Sequence, residues 1–256
     1  MRLTIGDDWH ASVTDEPLAV PPRFTGNSVD LAPYTSGEER ERLLAATFGS
    51  QDWLWDTPDI LRFDPDSRDL VAAEFQLPYV SSYAETTERV PALPPLRPGG
   101  LRAEEVKDVR LEMCTVLCRV PGDTVLTCLR DSDVLDAPLE ARIGIAPDLA
   151  LLVQHGTLAG WSLTDPARHL TAVHGAPETA PPSPATRRLL SACVDLVSEP
   201  LLEAVQDREP AVLARLREVH RALRTQPDDR PRADALLALI ANLAEDYADA
   251  PPEQDA

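Results

Sequence analysis

The hydrophobic period of this chain changes once, and the change falls at a proline-rich gap. Before Gly175, apolar residues tend to recur at every second position. After Pro184 they recur at every third and fourth. A period of two belongs to a strand with one buried face, and a period near 3.6 to an amphipathic helix. The gap itself, residues 175–184, holds Pro177, Pro181, Pro182 and Pro184 and few large apolar groups. The expected fold class is therefore α+β: a largely antiparallel β-sheet region followed by a small α-helical carboxy-terminal region. The matching division is an acidic β-rich domain with one early helix over 1–174, a Pro-rich linker over 175–184, a helical subdomain over 185–250 and a frayed tail over 251–256. The chain's 25 prolines, each fixing φ and removing a donor, predict short and interrupted elements.

Within the first part, Arg2 to Val13 alternates around Leu3, Ile5 and Trp9 and predicts an edge strand or an ordered arm. Ser36 reads as an N-cap with Glu39 closing a capping box. The helix it opens would carry Leu43, Leu44, Thr47 and Phe48 on one face and stop at Gly49. Leu61 and Phe63, then Val71, Ala73, Phe75 and Leu77, flank the turn residues 64–67 as a hairpin. Residues 79–100 read as an irregular surface connection. A second hairpin joins Arg110–Val120 to Thr124–Arg130 through Pro121-Gly122-Asp123, and strands follow at 142–145, 149–153 and 158–163. The later helices are expected to carry Leu189, Leu190, Cys193, Val194 and Val197, then Leu213, Leu216, Val219 and Leu223 behind Pro210, then Leu236, Leu237, Ile240, Leu243 and Tyr247.

The formal charge is -19, and most of it lies in the longer first part: residues 1–182 carry 29 acids against 15 bases. A field of that sign repels nucleic acid and anionic lipid and speeds encounter with a basic partner. No apolar run is long enough to span a membrane, and Met1 to His10 contains no apolar signal segment, so the expected localisation is cytoplasmic. Lys107 is the single lysine, which leaves it as the only residue for Schiff-base or lysine–phosphate chemistry. No phosphate loop, paired-histidine metal motif, nucleophile elbow or Cys-x-x-Cys is present, no cofactor is implied, and whether the chain catalyses anything is left open. Cys114 and Cys118 would share one strand face about 13 Å apart. Cys128 would face the space between them, near Val116. These thiols and Cys193 are expected to be reduced core filler.

Two places attract a functional reading. In the segment 51–59, Trp53 and Trp55 are interleaved with Asp52, Asp56 and Asp59. Paired indoles rimmed by carboxylates can grip an arginine- or amine-rich surface, and as core plugs they would do nothing of the kind. Asp165, His169 and His174 lie beside the Pro-rich gap, a second-choice cleft between the β-rich and helical parts. The first expectation is an acidic protein-binding or neutralising protein, immunity-like in logic, that covers a basic partner surface. The alternatives are an enzyme or small-molecule biosynthetic accessory using the cleft, and a structural subunit that self-associates through its carboxy-terminal helices.

Overall fold

The computed structural model describes residues 1–6, 9–50, 58–78 and 90–248. The first part builds two sheets. One contains β1 (Arg2–Gly6), β2 (Trp9–Val13), β8 (Leu96–Pro98), β9 (Leu101–Ala103), β10 (Val116–Arg119), β11 (Val125–Leu129), β12 (Ala141–Ala146), β13 (Leu149–Gln154) and β14 (Thr157–Thr164). The other contains β3 (Arg23–Phe24), β4 (Ser28–Leu31), β5 (Phe48–Gly49), β6 (Ile60–Phe63) and β7 (Leu70–Gln76), with α1 (Gly37–Ala46) beside it. The helical part holds α2 (Pro166–His169), α3 (Pro184–Leu196), α4 (Leu201–Gln206), α5 (Pro210–Thr225) and α6 (Arg230–Leu243). The α+β order expected from the change of period is the one observed, and most strand pairs are antiparallel. The exceptions are β1 with β14 and β8 with β12.

The larger sheet closes on itself. Its strands run β8-β12-β13-β14-β1-β2-β9, and β8 and β9 are one run of chain interrupted only by Gly99-Gly100. The run pairs with β12 through Leu96–Pro98 and with β2 through Leu101–Ala103, which completes a ring of six strands. At the crossing point, Gly99 N–H donates to Gly144 O and Gly100 N–H to Thr14 O. A Cβ on Gly100 would stand 2.3 Å from Glu16 O, so only glycine lets the two neighbouring strands approach there. The end of the Pro-rich connection is thus strand rather than irregular surface chain. Ring closure also corrects the reading of Arg2–Val13: β1 and β2 lie between β14 and β9, not at an edge.

One face of these strands is apolar throughout. Leu3, Ile5, Ala11, Leu101, Ile143, Ile145, Leu149, Leu151, Val153 and Leu163 join a single buried cluster with Phe24, Leu31, Leu61, Phe63 and Phe75 of the second sheet. Aromatic contacts bind the sheets: Trp9 meets Phe63 at 5.1 Å in an edge-on pose, and Trp161 meets Phe75 at 5.7 Å. The cluster continues into the helical part through Leu190, Val194, Leu216, Leu223, Leu236 and Ile240, the stripe positions expected from the sequence.

Local readings changed in instructive ways. Ser36 Oγ accepts the Glu39 N–H at 3.3 Å, but Glu39 Oε2 accepts from Thr35 N at 2.7 Å, one residue earlier than a capping box requires. Helix α1 ends at Ala46, because Phe48 and Gly49 pair with Phe63 and Arg62 as a strand, and no α1 residue is fully buried. In the second hairpin Leu117, not Val116, opposes Cys128. That one-residue register difference puts Cys128 on the face opposite Cys118, which packs with Val116, Leu129 and Val134, while Cys114, which precedes β10, joins Cys128 in the main core.

Candidate functional site

The β10–β11 hairpin inserts where the ring is weakest. Strand β14 pairs with β13 along one edge. Its other edge is shared, with Thr157 opposite Thr4 of β1 and residues Gly160–Thr164 opposite β11. Two strands cannot occupy one edge in parallel planes, so β1 and β11 diverge and the sheet forks. Gly160, at φ 156°, makes the close approach possible, since a Cβ there would fall 2.0 Å from Cys128 O.

A cleft of about 850 Å³ opens at the fork. Its apolar lining includes Ile5, Leu111, Val134 and Leu158, and its polar lining includes Arg110, Arg130, Glu112, Asp131 and Asp133. The wall is built firmly. Asp131 Oδ1 caps the short 3-10 turn Ser132–Asp136 by accepting from Asp133 N and Val134 N. Gln154 Nε2 donates to Val134 O and Ala137 O, tying that turn to the β13–β14 hairpin. Glu112 and Asp133 are exposed at the cleft.

Behind the cleft lies a buried acid. Asp59 is 1% exposed; its Oδ1 accepts the Gln76 N–H at 2.9 Å, and its Oδ2 faces the Cys114 thiol at 3.9 Å. Burial pushes its carboxyl up to about 7, against the downward pull of Arg130. Burial likewise drives the thiols of Cys114 and Cys128 well above their ordinary range, so neither is a ready nucleophile. Asp59 therefore faces inward rather than rimming an exposed surface. Asp52, Trp53, Trp55 and Asp56 lie outside the described residues.

The second-choice residues are each held by a different partner. Asp165 is held by Arg187 of α3. His169 is 4% exposed and meets Asp148 Oδ2 through Nε2 at 3.2 Å; burial lowers its pKa, opposed by Asp148. His174 sits edge-on against the Tyr34 ring at 5.7 Å. Each has a separate structural tie. Sequence reasoning missed the fork residues Arg130, Glu112 and Asp133, because their convergence depends on strands about 150 positions apart. The one local signal was the hairpin whose ends, near Arg110 and Arg130, come together at the cleft.

The junction between sheet and helices is ionic. Arg119 donates to both oxygens of Asp123 at 2.6 Å and to Asp195 Oδ1 at 2.7 Å, while Ser191 Oγ also reaches Asp123. Arg232, 1% exposed, donates to Asp229 Oδ1 and to the carbonyls of Arg168, Glu178 and Ala180, pinning the Pro-rich segment onto α6. Among the described residues no helix is long and apolar enough to cross a membrane. No family model, no curated protein and no solved structure matches this chain.

Proposed function

We propose that this is a binding protein that takes a basic segment of a protein partner into the fork cleft. The observation that carries the reading is the cleft itself: a rigid concavity with an apolar lining and exposed Glu112 and Asp133, on a chain of charge -19. The apolar groups accept the alkyl stems of arginine or lysine, the carboxylates accept their head groups, and the overall field raises the rate of encounter. An immunity-like or antagonist role is the biological form of this chemistry. The alternative, a small-molecule site, is favoured by the cleft's volume, which falls within the usual range for such ligands. Self-association through the helices has less support. The large apolar side chains found exposed among the described residues are Met1, Val90, Leu96, Val106 and Val173, none of them on those helices.

The test compares two double variants of equal charge. Glu112→Gln with Asp133→Asn removes two acids from the cleft; Glu38→Gln with Glu41→Gln removes two exposed acids from α1. A fluorescent arginine- and lysine-rich octapeptide should bind the wild type in a salt-dependent way and lose at least tenfold in affinity to the cleft variant, but hardly any to the α1 variant. Equal losses in both would mean diffuse electrostatic adsorption and would remove the cleft from the account.

A further inference from the structure

Arg130 differs from three other inward-placed arginines. Arg62, Arg119 and Arg232 each donate to at least two acceptors, whereas the half-buried Arg130 side chain has no hydrogen-bond or salt-bridge partner among the described residues. Its main chain is nonetheless fixed from two sides. Arg130 N–H donates to Ala159 O at 2.8 Å, and its carbonyl accepts from Thr115 Oγ1 at 2.7 Å. Arg130 therefore lines the cleft from a backbone tied on both sides. The acid that feels its field, Asp59, does not pair with it, because the Asp59 oxygens face Gln76 N–H and the Cys114 thiol.

A guanidinium carries five N–H donors in a planar fork, and leaving them without acceptors in a partly dry site is costly. The complementary group is a planar oxyanion held by two parallel hydrogen bonds. With Arg110 and Arg130 set against Glu112, Asp131 and Asp133, the charged lining is net negative, which weighs against a dianion such as phosphate and favours a single negative charge on an otherwise cationic molecule. We infer that Arg130 binds a carboxylate of the ligand, so that the cleft accepts a molecule with a carboxylate next to cationic groups. This rests on the cleft being the binding site. The carboxylate has two sources: the carboxy terminus of a basic protein segment, or a free cationic amino acid.

Titration calorimetry at low salt separates them, using the peptide Arg-Lys-Arg-Leu with a free terminal carboxylate, the same peptide as its amide, and free arginine. The wild type should bind the acid at least tenfold more tightly than the amide. Arg130→Gln should abolish that difference, and Arg130→Lys, which keeps the charge but not the fork, should restore it only in part. Binding should also take up protons near neutral pH. A carboxylate on Arg130 cancels the field that holds the Asp59 carboxyl down, and the other groups acting on Asp59, Glu74 and Cys114, stay in place. A purely structural Arg130 would produce neither the acid–amide difference nor the uptake. Equal binding of acid and amide by wild type overturns the inference and leaves the basic-segment reading standing. Binding of arginine alone, lost in Arg130→Gln, keeps the carboxylate site and overturns the protein-partner reading. No binding of any probe overturns both. Melting curves of both variants check that each is folded.

Discussion

The sheet–helix junction and the fork cleft are built from the same residue types and end in opposite states. At the junction Arg119, Arg187 and Arg232 are each tied to carboxylates, and Arg232 to three carbonyls as well. At the fork Arg130 has no such tie among the described residues, and Glu112 and Asp133 face solvent. Arginine at the junction is a fastener that lets two elements of different period share one core. Arg130 at the fork is unassigned chemistry beside a cavity. The difference follows from geometry. Helices docking on a sheet bring complementary groups to meet, whereas two strands diverging from one edge leave the Arg130 side chain without an acceptor among the described residues.

Substitutions can break or sharpen that contrast. The largest effect is expected at Arg232. Arg232→Met would leave Asp229 Oδ1 and the carbonyls of Arg168, Glu178 and Ala180 without the Arg232 donor, at a cost of about 3–5 kcal/mol in denaturant unfolding. Next comes Asp59→Asn, whose effect depends on pH. The folded carboxyl is raised to about 7, above its unfolded range. The folded state therefore holds the proton more tightly, and wild-type stability should fall as pH rises from about 4 to 7 and level off above that. Asparagine can still accept the Gln76 N–H and carries no charge. Its advantage over wild type should grow across that window to a few kcal/mol, on the order of the shift. A gap between the two melting temperatures that does not change with pH would contradict the burial account.

Much of this arrangement was legible in the sequence, and its function was not. The alternation of Val71, Ala73, Phe75 and Leu77 and the stripe through Leu216 and Leu223 identified strand and helix because burial imposes a local period. Ring closure was invisible. It depends on Leu96–Ala103 pairing on one side with a strand 46 positions later and on the other with one about 90 positions earlier. The cleft depends on a second long-range feature, the sharing of one β14 edge by β1 and β11. Cys128 shows the same limit on a finer scale: the hairpin was legible, but its register, which decides which thiols share a face, was set by the corner at Gly122 and Asp123, both at positive φ.

Smaller effects complete the comparison. Arg187→Gln should cost no more than about 1 kcal/mol, since its pair with Asp165 is one-third exposed. Arg130→Gln should change stability least of all, because no side-chain hydrogen bond among the described residues is lost. A cost like that of Arg232→Met would place Arg130 among the fasteners and erase the contrast.

The most direct test maps where a basic peptide touches the protein. In a titration of the isotope-labelled chain with the arginine- and lysine-rich octapeptide, backbone amide shifts should concentrate at Thr4, Arg130, Asp131, Thr157 and Leu158, around the fork. The amides of α1, equally acidic and exposed at Glu38 and Glu41, should stay still. Shifts spread over α1 and the rest of the acidic surface, with none concentrated at the fork, would contradict the claim that the cleft is the binding site.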